Sequence, residues 1–184
     1  MEFIIIATVS MILVIILKYI FGYNIKKIKK LGENNELDEI SKKYPSNIEM
    51  CREYLEKLNN QNVKIEENKD TEASLYIAIT NKISIANISK SYTRIQTIAH
   101  ECLHSIQDRK LLIFNFVFTN LYLIYFVIIT ILAMLNLLPY KLVFLNILLL
   151  LGLVYYSVRI YLENDAMIKA RYLAKEYMEE KNIS

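Results

Sequence analysis

Two histidines and a glutamate in this sequence have the types and spacing of a metal site that activates water. They are His100, Glu101 and His104, which form the pattern H-E-x-x-H. Residues four apart share a face of an α-helix, so both imidazoles can bind one ion while Glu101 lies beside the ion's open position. The sequence holds only two histidines, and both belong to this pattern. The spacing is typical of zinc sites that hydrolyse peptide bonds.

The residues around the pattern predict a helix with an apolar face that excludes the two histidines. At about 100° per residue, one stripe contains Ile95, Ile98, Ala99, Cys102, Leu103 and Ile106. His104 and Glu101 point away from this stripe, which we expect to face the core. A histidine that only fills a core would lie in the stripe, so a metal site is the favoured interpretation. Cys102 and Cys51 are interpreted as buried small apolar residues without a disulfide.

The composition indicates a membrane protein. Of 184 residues 54% are hydrophobic, and the mean hydropathy is +0.26. Residues 3–23, 111–138 and 142–162 are each near the roughly 20 residues that cross about 30 Å of hydrocarbon. The first stretch could be a cleaved signal, but it lacks a basic start and a cleavage pattern, so we expect an anchor.

Basic residues predict how these spans are oriented. Lys26, Lys27, Lys29 and Lys30 follow the first span, which places the chain from residue 24 onward in the cytoplasm. We therefore predict an anchor at 1–23, a cytoplasmic domain at 24–110, a transmembrane hairpin at 111–162 with its turn at 139–141, and a cytoplasmic helix at 163–184. This multi-pass arrangement in the cell membrane puts the H-E-x-x-H motif and the C-terminal tail on the cytoplasmic side.

The cytoplasmic domain is predicted to contain a helix and a β-hairpin before the motif. Apolar residues recur at helical spacing over residues 47–60, and a charged stretch without regular structure follows. Two alternating runs, 74–80 and 83–87, flank the turn residues Asn81 and Lys82 and predict the hairpin. Such a strand beside a catalytic helix could bind a peptide by strand addition, or it could serve only the core.

A catalytic zinc ion normally has three protein ligands, so a carboxylate or a cysteine must complete the site. Glu163 and Asp165 are the first acidic residues after Asp108, and they stand where the third span ends. Ala166, Ala170 and Ala174 recur every four residues on the face of Glu163, and a small-residue strip lets helices approach closely. Glu163 and Asp165 point to different sides of a regular helix, so only one can be a ligand. The alternatives are an acidic residue that marks the water interface and a strip that serves ordinary helix packing.

Residues 99–107 read A-H-E-x-x-H-x-x-Q, and residues 163–166 read E-x-D-A. In this order, over nearly the whole chain, they resemble the YugP-like neutral zinc metallopeptidases of bacterial membranes and, more distantly, the HtpX-like membrane proteases. The resemblance implies a mainly α membrane protein with about three transmembrane helices and a small α+β, zincin-like cytoplasmic domain. It also implies Zn²⁺ bound by His100, His104 and Glu163, with Glu101 as the catalytic base and Asp165 as a supporting residue. Cys102 and Leu103 depart from the small residues common at their positions.

The expected function is hydrolysis of peptide bonds in membrane or membrane-proximal proteins, so the partners would be a protein or peptide substrate and the lipid bilayer. The alternatives are an inactive metal-binding adaptor and a structural membrane protein. Candidate donors to the oxyanion are Arg159, Tyr161, Arg171 and Tyr172, although an anchor at the membrane interface is the favoured interpretation of these residues. Lysines that flank the spans account for the net charge of +3, and three glycines form no phosphate-binding loop, so no nucleic-acid partner is expected. The sequence does not predict an oligomeric state.

Overall fold

The computed structural model describes residues 34–181 except 69 and 72, together with positions 12, 15, 16 and 30. The predicted anchor at 3–23 and its orientation therefore lie outside the described residues, apart from three isolated positions. Residues 34–181 form a mostly helical structure with a small three-stranded sheet. Its elements are α1 (Asn35–Ser41), α2 (Asn47–Lys57), β1 (Lys64–Glu67), β2 (Leu75–Ile77), β3 (Lys82–Ile85), α3 (Arg94–His104), α4 (Arg109–Met134) and α5 (Lys141–Glu180).

Helix α2 confirms the helix predicted at 47–60, although it ends three residues earlier. A capping box starts it: the Ser46 hydroxyl accepts from the Glu49 backbone N–H, and the Glu49 carboxylate accepts from the Ser46 N–H. The helix stops because Asn59, with φ 53°, adopts the left-handed conformation that cannot continue a helix. Its buried face points into the core that supports α3.

The sheet has the strand order β1-β3-β2. Strands β2 and β3 form the predicted antiparallel hairpin, but the turn takes four residues, 78–81, and Asn81 closes it with φ 50°. Strand β1 was not predicted, because the expected irregular stretch contains it. It pairs in parallel with β3, and Ile65 is its one apolar residue, so no alternating pattern marked it. Both β1 and β2 are edge strands of this sheet.

Helices α4 and α5 form the predicted hairpin, and both are long and apolar enough to cross a membrane. Their most apolar stretches are covered by little or no protein, which leaves large exposed side chains that a soluble protein rarely tolerates. Gly152 faces Tyr122 of α4 closely, since a Cβ there would lie 2.9 Å from the Tyr122 hydroxyl oxygen. The connection takes residues 135–140 rather than the predicted 139–141.

Helix α5 continues without a break past residue 162, where the sequence suggested a boundary between a span and a separate helix. Its C-terminal half leaves the apolar hairpin and packs against α3 and α2. Ala166, Ala170 and Ala174 are buried there, which confirms that the small-residue strip serves close packing. One continuous helix thus joins the hairpin to the polar domain.

The core under α3 contains the predicted apolar stripe except for Ile106, which is 45% exposed. That prediction was wrong because α3 ends at His104, so the helical periodicity does not extend to residue 106. Cys51 and Cys102 are buried and free, with their sulfur atoms 3.5 Å apart, as expected for residues without a disulfide. Burial raises the pKa of the Cys102 thiol, so it remains protonated and unreactive.

A buried arginine, which sequence patterns did not single out, joins α3 to the segment between α1 and α2. The Arg94 guanidinium is 3% exposed and donates to the carbonyl oxygens of Ser41, Tyr44 and Pro45 at 2.6, 3.1 and 2.8 Å. It also donates to Asn47 Oδ1 at 3.1 Å. These bonds hold α1 and its following loop against the first turn of α3.

Candidate metal centre

His100, His104 and Glu163 meet where α3 passes α5. Their ligand atoms all lie within 4.8 Å of one another, an arrangement that could hold a metal ion. The two Nε2 atoms are 3.0 Å apart, and Glu163 Oε2 lies 3.3 Å from His100 Nε2 and 3.8 Å from His104 Nε2. The alanine strip of α5 permits this approach, because it brings the backbone of α5 close to α3.

The three separations suit a tetrahedral ion of the size of zinc. Ligand atoms about 2.0–2.2 Å from zinc, at tetrahedral angles, lie about 3.3–3.6 Å from each other. The measured values of 3.0, 3.3 and 3.8 Å lie around that range. Two imidazoles and one carboxylate also form a donor set that leaves a fourth position open. The residues therefore fit a zinc ion, although the same donors accept other divalent metals.

The surroundings of His100 favour the neutral imidazole that a metal ligand requires. Burial lowers the pKa of His100, and the neighbouring His104 lowers it further, while Glu163 opposes the shift. The side chains of His100 and His104 are 16% and 12% exposed. Nδ1 of His100 is buried and has no hydrogen-bond partner among the described residues.

Gln107 determines the tautomer of His104. Its Nε2 donates to the Leu162 carbonyl oxygen at 2.8 Å and to Asp165 Oδ2 at 3.0 Å, so its amide oxygen faces His104 Nδ1 at 2.8 Å. A carbonyl oxygen only accepts, so Nδ1 must carry the proton and Nε2 keeps its lone pair for a metal. Gln107 stands three residues after His104, and this spacing was the available sequence signal for a role that was not predicted.

Asp165 lies beside this amide rather than beside the imidazole nitrogens that would bind the ion. Its carboxylate accepts from Gln107 and pairs with Lys169 at 2.6 Å. The hydrogen bond from Gln107 has the largest effect on the pKa of Asp165 and lowers it, and the bond from Lys169 lowers it further. Asp165 therefore remains ionised. Of the two acidic residues that the sequence left open, the structure brings Glu163 to the histidines and Asp165 to the amide that orients one of them.

Glu101 lies on α3 next to the candidate ligands and is 7% exposed. Its Oε2 accepts from the backbone N–H of Tyr76, in edge strand β2, at 2.7 Å. Burial raises the pKa of Glu101 to about 7, against the lowering effect of that hydrogen bond. The carboxylate thus connects α3 with the outer edge of the sheet, a contact that sequence reasoning did not find.

The four predicted oxyanion donors all lie on α5, the helix that carries Glu163. Tyr161 and Tyr172 are 65% and 68% exposed, and Arg159 donates to Tyr155 within the same helix. Arg171 lies two turns of α5 beyond Glu163 and lines a groove described below.

No protein-family model matches the chain, and no curated protein or solved structure matches it either. The motif resemblance to the YugP-like peptidases thus stays a prediction. The case for a function depends on the geometry of the site.

Proposed function

We propose that this protein is a membrane-embedded zinc endopeptidase that hydrolyses peptide bonds of membrane or membrane-proximal proteins. The observation that carries the proposal is the convergence of His100, His104 and Glu163, from two separate helices, with Glu101 directly after the first ligand. Such a ligand set with an adjacent buried carboxylate is suited to metal-assisted hydrolysis.

Each residue would have a distinct task. A bound zinc ion would supply a Lewis acid that lowers the pKa of water and polarises the scissile carbonyl. Glu101 would take a proton from the attacking water and pass it to the leaving amine nitrogen as the C–N bond breaks. Gln107 would hold His104 in the tautomer that ligates, and Asp165 would hold Gln107.

The edge of the sheet supports a route for an extended substrate. Strand β2 pairs with β3 on one side, and its Tyr76 N–H points away from that pairing to Glu101. A peptide that added to the free edge of β2 would form main-chain hydrogen bonds and pass beside Glu101. The substrate would then take over the Tyr76 N–H from the carboxylate, which would leave Glu101 free to accept a proton.

The proposed location of the site follows from α5. Residues 141–162 cover about 33 Å at 1.5 Å per residue, close to the hydrocarbon thickness of a bilayer. Glu163 follows directly, so the metal would lie at the membrane surface. We assign this surface to the cytoplasmic side from the lysines at positions 26–30, whose topological role is a proposal from the sequence.

Purified full-length protein in lipid nanodiscs tests the proposal through two measurements on one preparation. Metal analysis should find one zinc per chain, and casein digestion should stop when a chelator removes it. Glu101→Gln should retain zinc but reduce the cleavage rate by about 10²–10⁴-fold, because the carboxylate that accepts the proton is gone.

Glu56→Gln is the matched control, since Glu56 is an exposed glutamate on α2 away from the three ligands. It should cleave casein at the unchanged rate. Casein cleavage that survives Glu101→Gln would overturn the peptidase assignment. Zinc bound without any cleavage would instead favour a metal-binding adaptor.

A further inference from the structure

A groove with His100 in its lining extends along the part of α5 that follows Glu163. It has a volume of about 770 Å³, and α1, the first half of α3 and the last third of α5 form its walls. His100 lies in its lining together with apolar side chains that include Leu37, Ile40, Met167 and Met178. One wall of the groove therefore contains a predicted metal ligand.

The faces of the helices explain why the groove leads to the metal. Thr93, Gln96, Thr97 and His100 line it, and their spacing of three and four puts them on the face of α3 that also carries His104. On α5, the lining runs from Met167 to Met178, which spans about 16 Å along the axis. An extended peptide of about five residues has this length.

The charges of the groove are of one sign. Among the described residues that line it, Arg171 and Lys175 are the charged side chains, and no acidic residue contributes. Lys175 also pairs with Glu179 at 3.6 Å, but both side chains are largely exposed, so this pair offsets little of its charge. Both cations lie farther along α5 from Glu163 than Met167 does.

We propose that this groove binds a short apolar segment of the substrate polypeptide, on one side of the scissile bond, with an acidic residue opposite Arg171 and Lys175. The inference rests on the proposed peptidase function and names the substrate class of that site. Continuity with His100 favours a peptide over an unrelated ligand, because a chain bound here reaches the metal directly. The apolar walls favour apolar side chains of the substrate, and the two cations, Arg171 and Lys175, favour a negatively charged residue after them.

Peptide binding to the zinc-loaded Glu101→Gln protein in nanodiscs tests the inference without turnover. Three fluorescein-labelled peptides share one Gly-Ser framework: four leucines followed by glutamate, four leucines followed by lysine, and four serines followed by glutamate. Fluorescence anisotropy should show that the leucine–glutamate peptide binds about tenfold or more tighter than the serine peptide, because leucine side chains lose water contact in the groove. The leucine–lysine peptide should bind more weakly than the leucine–glutamate peptide.

Two neighbouring residues of α5 supply the variant and its control. Met167 lines the groove and is 52% exposed, whereas Ile168 is 61% exposed and lies outside the lining. Met167→Glu should weaken binding of the leucine–glutamate peptide by about tenfold or more, and Ile168→Glu should change it by less than about twofold. An unchanged zinc content in both variants shows that each still folds. Arg171→Glu should remove the preference for glutamate over lysine.

Two results would overturn the inference. Equal weakening by Met167→Glu and Ile168→Glu would show that the peptides bind a general apolar surface. Displacement of the leucine peptide by laurate, which offers an acyl chain and a carboxylate without a peptide backbone, would assign the groove to a lipid. Failure of the peptidase proposal is a separate result: wild-type protein would not cleave these peptides even where the groove binds them.

Discussion

Gln107 offers the sharpest test of how the polypeptide prepares a metal site, because its side chain touches no predicted ligand atom. Its amide oxygen accepts from His104 Nδ1 at 2.8 Å, and its Nε2 donates to the Leu162 carbonyl and to Asp165. Gln107→Ala removes all three hydrogen bonds. The variant still contains all three candidate ligand residues, His100, His104 and Glu163.

The expected loss follows from what the truncation leaves behind. The His104 side chain is 12% exposed, so its Nδ1–H has little access to water and loses its acceptor. An unsatisfied buried donor costs about 1–3 kcal/mol, and the imidazole also becomes free to adopt the other tautomer. We therefore expect zinc affinity to fall by about 10–100-fold, as is typical when a partner of a ligating histidine is removed.

Competition with a chelating fluorophore measures this affinity without reference to catalysis. Gln96→Ala is the matched control: it makes the same substitution on the exposed surface of α3, where the side chain approaches the Met167 sulfur at 3.8 Å. Its zinc affinity should equal that of the wild type. If Gln107→Ala binds zinc as tightly as Gln96→Ala, Gln107 does not orient the ligand and the tautomer argument is wrong.

Two further predictions concern the different roles of Glu163 and Asp165 in zinc binding and the contribution of the buried Arg94 to stability. Glu163→Ala should abolish stoichiometric zinc binding because it removes a ligand, whereas Asp165→Ala keeps every ligand and should weaken binding by about tenfold at most; metal analysis after dialysis distinguishes them. Arg94→Met should lower the free energy of unfolding by about 3–5 kcal/mol, measured by urea titration of tyrosine fluorescence, because three buried acceptors and the half-buried Pro45 carbonyl lose their donor. The exposed Arg52→Met should change it by less than about 0.5 kcal/mol, and a similar loss in both variants would contradict a structural role for Arg94.

The parts of the fold that the sequence predicts are those with a local period. Five apolar residues of the α3 stripe are buried, and helix α2, the β2–β3 hairpin and the two apolar helices all form near their predicted positions. In α2 and α3 the helical spacing of apolar residues marks the buried face, whereas α4 and α5 are marked by their continuous apolar runs. The prediction for Ile106 was wrong because the helical spacing of apolar residues in the sequence continues to residue 106, whereas the helix itself ends at His104.

Features that depend on distant partners were harder to predict. Strand β1 becomes a strand only by pairing with β3, and its sequence, with one apolar residue, carries no alternation. The four acceptors of Arg94 come from residues 41–47, so no local pattern identifies the arginine as buried. The position of the Glu163 carboxylate was predicted in part. The alanine strip beside it indicated that its helix packs closely against another helix, but the strip alone did not indicate which one.

The continuity of α5 gives the candidate site a mechanical property that a ligand on a loop would lack. Residues 141–162 form the apolar part of the helix, and Glu163 follows without a change in direction. Any tilt or shift of the hairpin in a bilayer therefore moves the Glu163 carboxylate relative to α3, unless α3 moves with it. The buried packing of Ala166, Ala170 and Ala174 resists that movement, and so does Tyr177, whose hydroxyl donates to Glu53 of α2. Helix α5 thus forms half of the hairpin and also carries one of the three candidate metal ligands, and the core around α3 maintains the distance between the two parts of the candidate site.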